Sequence, residues 1–348
     1  MWIYKYLAVL AVIAPFAAPT QVNATEIPAL PNIILIVSDD QGYADVGFHG
    51  STDIPTPNID RIARGGTVFT NGYATHAVCG PSRAGMLTGR YQDRFGFGQN
   101  PTVDPAVPTA GLPVEEDQIS ELLKQAGYTN MDIGKWHMGV RDEYHPLNQG
   151  YDEFFGFLSG GHGYFPEDYV YESIEEVDSN WGWYRTRLLV NRERVDDDQY
   201  LTDELSDRAV VFVSREHEGP FFLYLAYNAP HAPLQATEEY RARFAHIGDE
   251  KRRTYAAMIA AMDDGIGAVL DAIDRGGIAE NTLIFFLSDN GGPEAVNGSD
   301  NGPLRDGKGS LHEGGIRVPF ALRWPAQLAA NQVYDAPVIS LDILGTVA

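Results

Sequence analysis

The sequence is poor in cysteine, because Cys79 is the only thiol among its 348 residues. A single cysteine cannot form a disulfide within the chain, so we expect no internal disulfide to stabilise the fold. Hydrophobic residues make up 44% of the chain, which is enough for a large buried core. We therefore expect one large domain over residues 25–348 that is stabilised by core packing.

Positive charge is also scarce. The chain has 25 Lys and Arg residues against 48 Asp and Glu residues, a formal net charge of -23. Proteins that bind a phosphate backbone need a basic face, so this balance argues against a nucleic-acid partner. A bound anion would have to be held by a local group of cations.

Long hydrophobic runs are rare as well. The most apolar one, residues 7–18, is shorter than the roughly 20 residues of a membrane-spanning helix, and Pro15 lies within it. It follows Lys5 and precedes the small and polar residues Val22-Asn23-Ala24. This pattern predicts a signal peptide over residues 1–24, hence a secreted or periplasmic protein without stable membrane insertion.

Apolar β-rich runs alternate with helical patterns along the chain, which is typical of an α/β fold with a mostly parallel sheet and helices on both faces. The clearest predicted strands are residues 32–38, 129–134, 221–227 and 282–288. Two predicted helices lie between them, and each has one apolar face that we assign to the core. These faces contain Ile119, Leu122, Leu123 and Ala126 in the first helix, and Tyr255, Met258, Ile259, Met262, Ile266, Val269, Leu270 and Ile273 in the second.

Polar side chains follow each predicted strand. Ligands of open α/β sheets bind beyond the carboxyl ends of the strands, so we expect these groups to converge in one crevice. Taken singly, the acidic pairs could only cap helices or form turns, and the histidine could be an ordinary loop residue. Together the groups are Asp39 and Asp40, Lys135 and His137, His231, and Asp289 and Asn290.

Asp39, Asp40, Asp289 and Asn290 supply three carboxylates and one amide, which are the oxygen ligands of a hard cation. Calcium suits a flexible site built only of oxygen atoms, and magnesium a stricter one. Paired Cys and His ligands are missing, which disfavours zinc. We therefore predict Ca²⁺, with Mg²⁺ as the alternative.

Cys79 precedes Pro81, a residue favoured at the first position of a helix. The pattern places Cys79 at a helix N-terminus, where the helix dipole would favour a thiolate of low pKa. The other interpretation is a buried, inert cysteine. These residues alone leave both open.

The stretch "HAVCGPSRAGMLTGR" resembles the C-x-P-S-R signature of the formylglycine-dependent sulfatases, members of the alkaline phosphatase superfamily. Further motifs of that family match in order along nearly the whole chain after residue 24. They are "PNIILIVSDDQGYADVG", "PTPNIDRIARGGTVFTNGYA", "DIGKWHMG", "LYLAYNAPHAPLQ", "FFLSDNGG" and "PLRDGKGSLHEGGIRVP".

The resemblance implies an alkaline-phosphatase-like fold and hydrolysis of sulfate esters. In this family a maturation enzyme oxidises the cysteine to formylglycine, whose hydrate is the nucleophile. His137 would then manage a proton on residue 79, and His231 would protonate the departing alcohol. The residues implied as catalytic are Cys79, Arg83, Lys135, His137, His231 and Lys308, and those implied as metal ligands are Asp39, Asp40, Asp289 and Asn290, completed by the modified residue 79.

Two features depart from the family pattern. His312 lies where many relatives have an aromatic residue, and it is either a substrate contact or a surface loop histidine. The chain stops where the family continues to a small C-terminal antiparallel subdomain, so we expect that subdomain to be absent or truncated.

The expected substrate is a sulfated carbohydrate. Residues 164–184 are rich in Tyr and Trp and form either a sugar-stacking surface or a packed lid. Arg94 and Asn100 are candidate contacts to hydroxyl groups or to a second sulfate. Two alternatives stay open: a phosphonate or phosphodiester hydrolase with the same modified residue, and a non-catalytic relative that binds sulfated glycans.

Overall fold

A computed structural model describes residues 30–348, so the predicted signal peptide at residues 1–24 lies outside the described residues. The strands of this described part are β1 Asn32–Ser38, β2 Thr67–Phe69, β3 Gly72–Tyr73, β4 Thr129–Lys135, β5 Glu153–Phe157, β6 Leu188–Val190, β7 Glu193–Val195, β8 Phe221–Ala226, β9 Thr282–Ser288, β10 Phe320–Arg323, β11 Gln332–Tyr334 and β12 Val338–Ile339.

Ten of these strands form one sheet in the order β11-β2-β10-β9-β1-β8-β4-β5-β6-β7, and β3 pairs with β12. The central strands β9, β1, β8, β4 and β5 are parallel to one another. Antiparallel pairing begins outside them, at β10 on one side and at β6 on the other. Because the central strands run in one direction, their carboxyl ends meet at a single edge of the sheet.

The helices of the described part are α1 Ile59–Arg64, α2 Cys79–Thr88, α3 Ile119–Gln125, α4 Leu201–Ser214, α5 Glu238–Ala242, α6 Glu250–Arg275, α7 Glu294–Asn297, α8 Glu313–Ile316 and α9 Asp342–Val347. They cover both faces of the sheet. Ile34 and Ile36 of β1 pack in a core with α4 and α6, whereas Ile33, Leu35 and Val37 pack in a second core with α2 and α3. Burial on both faces explains why β1 is apolar at nearly every position.

The predicted fold class is confirmed. Two of the four predicted strands have the observed bounds, and the other two differ by one residue at the carboxyl end. Every residue predicted for the core face of α6 is buried. The prediction was wrong for Ala126, which is exposed because α3 already ends at Gln125, and Leu122 is only half-buried. No helix within residues 30–348 is both long and apolar enough to cross a membrane.

Candidate active site

The two predicted metal-ligand pairs meet at the carboxyl ends of β1 and β9. These strands are parallel neighbours with Ser38 opposite Ser288, so the residues that follow them lie side by side. The backbone N–H of Asp40 donates to Asp289 Oδ1 at 3.3 Å, and Asn290 Nδ2 donates to Asp40 Oδ1 at 2.7 Å. The four candidate ligands are buried and share one site, although the first pair is at least 249 residues away from the second in the sequence.

The turn after β1 is held from several sides. Asp40 has a φ of 64°, a left-handed conformation that Asp tolerates better than most residues. The N–H of Gln41 donates to Ser288 Oγ at 3.1 Å, and Asn297 Nδ2 donates to the carbonyl of Asp40 at 3.1 Å. We did not single out Ser288 or Asn297 from the sequence; the position of Ser288 directly before Asp289 was the available signal.

The buried side chain of Arg83 supports Asp289 from within the protein. Its Nε and Nη2 both lie 2.9 Å from Asp289 Oδ2, while Nη1 donates to the carbonyl of Lys135 at 3.0 Å and to the Tyr224 hydroxyl at 3.2 Å. The guanidinium thus connects α2 with Tyr224 in β8 and with the carboxyl ends of β4 and β9. Its contacts are to protein groups, so it holds Asp289 in place and contributes fixed positive charge.

Two lysines complete the charge balance. Lys135 forms an ion pair with Asp39, and Lys308 Nζ lies 2.7 Å from Asp40 Oδ1 and 2.8 Å from Asp40 Oδ2. With the Arg83–Asp289 pair, three cations face three carboxylates. A divalent cation would therefore leave the site with a net positive charge, which favours an anionic ligand.

Burial and neighbouring charges act in opposite directions on these groups. Burial alone would raise the pKa of Asp40, but the neighbouring cationic groups, Lys308 above all, together outweigh burial and lower the pKa to about 2. Burial and the nearby Asp39 carboxylate raise the pKa of Asp289. For Lys308, burial would lower the pKa, but Asp40 and the other acidic groups around it together outweigh burial and hold the pKa well above its ordinary value.

Cys79 is the first residue of α2 and is buried against the charged cluster. Its Sγ lies 3.5 Å from Asp39 Oδ1 and 3.1 Å from Lys308 Nζ. Burial and the Asp39 carboxylate raise the pKa of the thiol to about 12, so the interpretation as a thiolate of low pKa is wrong. The helix also begins two residues before Pro81. Cys79 therefore lies against the charged cluster as a neutral thiol.

The two histidines lie on different loops. His231 follows β8, and its Nε2 is 3.5 Å from Asp40 Oδ2. Burial lowers the pKa of His231 to about 3, although Asp40 acts in the opposite direction. His137 follows β4 with a φ of 60°, and its buried Nδ1 has no hydrogen-bond partner among the described residues. Burial, with the charge of Lys135, lowers the pKa of His137 well below its ordinary value.

The donor atoms fit a hard cation. Ligand atoms of Asp39, Asp40, Cys79 and His231 all lie within 4.8 Å of one another. The buried Asn290 Oδ1 has no hydrogen-bond partner in the described part of the chain, so a cation would satisfy it. The group within 4.8 Å contains Asp39 and Asp40 of the predicted ligands but not Asp289, so the full ligand set stays a prediction, and none of these contacts distinguishes Ca²⁺ from Mg²⁺.

Other candidates lie outside this cluster. His312 is exposed and faces Asp306 and Ser310, and Arg94 is exposed on a short turn. Asn100 has a structural contact, because its Oδ1 accepts from the N–H of Gly80 at 2.9 Å and so caps the start of α2. Tyr164 is fully buried, and its hydroxyl donates to the carbonyls of Asn228 and His231. Tyr164 supports the His231 loop and offers no stacking surface.

A mostly parallel sheet whose strand ends gather this cluster defines a protein of the alkaline-phosphatase-like class. The family model described as Sulfatase matches residues 31–348. The chain belongs to the sulfatase family.

Several known proteins are similar to this chain. N-acetylgalactosamine-6-sulfatase of Mus musculus is 37% identical over 92% of this chain and 62% of its own length. Arylsulfatase J of Mus musculus is 36% identical over 83% of this chain and 47% of its own length. The crystal structure of Ps i-CgsB in complex with k-i-k-neocarrahexaose is 47% identical, with a TM-score of 0.87 over 92% of this chain and 71% of that one. The chain thus spans less than two thirds of the curated relatives it matches.

Proposed function

We propose that residues 25–348 form the catalytic domain of an exported sulfatase, secreted or periplasmic, that hydrolyses sulfate esters of a carbohydrate. The observation that carries this proposal is the position of Cys79, whose Sγ lies 3.5 Å from Asp39 Oδ1 and 3.1 Å from Lys308 Nζ. A maturation enzyme would convert Cys79 to formylglycine. The raised pKa of the unmodified thiol supports a need for conversion, because a neutral thiol is a weak nucleophile.

Charge supports an anionic substrate. Asp39, Asp40, Asp289 and Asn290 would hold Ca²⁺ or Mg²⁺, with residue 79 beside them. When bound, the cation supplies Lewis acidity that stabilises negative charge on the reacting oxygens. Lys135, Lys308 and Arg83 balance the three carboxylates, so a protein of net charge -23 can still present a positive site to a sulfate ester.

Lys308 and His231 are suited to act on the ester itself. Both are partly exposed, with 19% and 12% of their side chains accessible, and both approach Asp40 from loops. His231 would give a proton to the departing alcohol oxygen. With a pKa of about 3 it is neutral in the free site, and the approach of an anionic substrate would raise that pKa and favour the protonated form.

His137 would accept a proton from a hydroxyl group of the hydrated residue 79. Its buried imidazole is uncharged, and the free Nδ1 is able to accept a proton if that nitrogen is the unprotonated one. Removing a proton from the second hydroxyl of the hydrated residue would release sulfate and restore the aldehyde.

Relatives support a carbohydrate as the substrate class. One similar protein is named N-acetylgalactosamine-6-sulfatase, and another was solved in complex with k-i-k-neocarrahexaose. The aromatic ring of Tyr184 beside His231 adds a surface suited to a sugar. We therefore place the sulfate on a sugar hydroxyl rather than on a simple aryl or alkyl alcohol.

The test combines peptide mass spectrometry around residue 79 with turnover measurements. Protein made together with a maturation enzyme should contain formylglycine, and Cys79→Ala should abolish sulfate release. Specificity constants should favour sulfated oligosaccharides over nitrophenyl sulfate and over aryl phosphodiesters. Preference for a phosphodiester would identify a phosphodiesterase, preference for nitrophenyl sulfate would refute the carbohydrate assignment, and binding without turnover in matured protein would identify a glycan-binding relative.

A further inference from the structure

Three aromatic side chains stand at the outer edge of the site, on the segment between β5 and β6. They are Trp181, Trp183 and Tyr184, which we call the aromatic rim. Trp181 lies 5.4 Å from Trp183 and 5.7 Å from Tyr184 between ring centroids. Since the rings contact one another, they form one continuous surface.

Tyr184 connects this surface to the reactive centre. Its ring lies 6.2 Å from that of His231 in an edge-on arrangement, with an interplanar angle of 74°. Gly161 allows this approach, because a Cβ at that position would come within 2.8 Å of the Tyr184 hydroxyl. The neighbouring Gly160 contacts His137 in the same way, with a Cβ position 2.5 Å from Nε2. Gly160 and Gly161 therefore lie between the His137 ring and the Tyr184 ring.

The Tyr184 hydroxyl makes no hydrogen bond to any of residues 30–348. Burial raises the pKa of this phenol, and the charge of Asp39 raises it further, which is consistent with a hydroxyl near the charged cluster. A half-buried phenol usually finds a partner. An unused donor beside the reactive centre is available to a substrate.

Trp181 is the exposed end of the rim, with 64% of its surface accessible. It has a φ of 66°, which is uncommon for a bulky residue and costs conformational energy. Hydrophobic burial does not explain this conformation, because most of the indole faces solvent. A flat exposed ring of this kind suits the C–H face of a sugar.

Hydrogen bonds to the backbone hold the segment that carries the aromatic rim. The N–H of Gly163 donates to the carbonyl of Tyr184 at 2.8 Å, and the N–H of Val170 donates to the carbonyl of Arg185 at 2.8 Å. The buried ring of His162 contacts the carbonyl of Thr186 at 2.7 Å. These contacts fix the backbone at Tyr184 and at the two residues after it, so the Tyr184 ring is held in place before a ligand binds.

We propose that the aromatic rim is the sugar subsite on the leaving-group side of the crevice, where the Tyr184 hydroxyl binds the sugar that carries the sulfate and Trp181 stacks on the next sugar. The assignment to the leaving-group side follows from the contact between Tyr184 and His231, and it rests on the proposed role of His231 and on a carbohydrate substrate. The rim then selects oligosaccharides without taking part in bond cleavage.

The test compares Trp181→Ala and Tyr184→Phe with Tyr334→Ala, which removes an exposed aromatic ring from the distant edge strand β11. For Trp181→Ala, kcat/KM should fall about tenfold more for k-i-k-neocarrahexaose than for nitrophenyl sulfate, mostly through KM, since stacking of about 1.4 kcal/mol is tenfold in binding. Tyr184→Phe should show the same direction with a smaller ratio, and Tyr334→Ala no difference. Equal losses on both substrates would overturn the subsite.

Calorimetry in a Cys79→Ala background gives a readout that does not depend on turnover. The Kd for k-i-k-neocarrahexaose should rise about tenfold with Trp181→Ala and should not change with Tyr334→Ala. Nitrophenyl sulfate turnover by the unaltered protein without oligosaccharide binding would overturn the rim proposal and leave sulfatase activity standing. Oligosaccharide binding that depends on Trp181, without turnover of any sulfate ester by matured protein, would overturn the proposed function and leave the subsite standing.

Discussion

The candidate site has a buried inner wall and a partly accessible outer wall, and these are built from different parts of the chain. The inner wall consists of Asp39, Arg83, Lys135 and Asp289, whose side chains are completely buried. The outer wall consists of His231, Lys308 and the aromatic rim, which come from loops and keep part of their surface accessible. The inner residues contact one another, whereas the outer residues keep groups free for a ligand.

This difference separates stability from selectivity. An inner charge that loses its partner stays buried without compensation, which costs several kcal/mol. An outer residue is close to water, so its loss changes the folded state less. Changes in the inner wall should therefore reduce stability and activity together, and changes in the outer wall should reduce activity according to the substrate.

The largest effect is expected for Asp289→Ala. It removes the carboxylate that accepts from Arg83 Nε and that lies 2.9 Å from Nη2 in an ion pair, and it leaves that guanidinium buried. We expect a loss of about 3–5 kcal/mol in the free energy of unfolding, together with loss of bound metal and of activity. Urea denaturation and metal analysis measure both effects.

The matched control for Asp289→Ala is Asp264→Ala, which breaks the exposed pair with Arg243 on the surface of α6. That substitution should cost less than about 1 kcal/mol and leave the metal content unchanged. Equal stability of the two variants, or full metal content in Asp289→Ala, would contradict the distinction between the walls.

Lys308→Ala should have a large effect on rate and a smaller one on stability. Its ammonium contacts Asp40 and Cys79 from a loop, so its loss removes positive charge beside residue 79. We expect kcat to fall by about 10²–10³ with a smaller loss of stability than Asp289→Ala gives. Steady-state kinetics and urea denaturation on the same preparation check this. Destabilisation as large as that of Asp289→Ala would place Lys308 in the inner wall.

His231→Gln should show a loss that depends on the leaving group. A sugar alcohol needs a proton as it departs, whereas a nitrophenolate departs unaided. We expect the rate on a sulfated oligosaccharide to fall about 10²-fold or more and the rate on nitrophenyl sulfate to fall much less. The ratio of kcat values on the two substrates is the measurement, and a ratio unchanged from the unaltered protein would point to a different acid.

The smallest expected effect concerns His231, whose imidazole should not titrate near neutral pH in the folded protein. Because the pKa of His231 is lowered to about 3, its imidazole should stay neutral between pH 5 and 8 when metal and substrate are absent. NMR of the ring protons should show no shift over this range, while in urea the same ring should titrate near about 6.5. The unfolded chain takes up this proton first, so His231 disfavours folding progressively as the pH falls below about 6.5. A folded-state titration near pH 6.5 would show that the ring is accessible to water.

Much of the fold could be predicted because buried strands and helix faces consist of apolar residues, which are visible in the sequence. The apolar runs of β1 and β9 have the observed bounds, since strands covered on both faces are apolar throughout. The end of α3 could not be predicted from the apolar periodicity, which included the exposed Ala126. Helix ends depend on backbone hydrogen bonds, which periodicity does not report.

The candidate site divides in the same way. Residue types and their places after strands were sufficient to bring Asp39, Asp40, Asp289 and Asn290 together, because parallel strands end at one edge. The thiol of Cys79 was a different case. Its position on a helix suggested a low pKa, but burial and Asp39 raise the pKa to about 12. Desolvation of a group depends on all the residues that pack around it, and many of these are distant in the sequence, so the residues next to Cys79 could not predict its pKa.

The sequence by itself determined the α/β architecture, the acidic strand ends and the segment around Cys79, because each is set by local residue pattern. Only the tertiary structure decided which aromatic residues face the crevice. Tyr164 and Tyr184 belong to the same Tyr-rich stretch, yet one is buried under the His231 loop and the other lies edge-on against the His231 ring. A loop has no fixed period that assigns its side chains to a face, so the side that each aromatic ring occupies is decided by packing against distant strands.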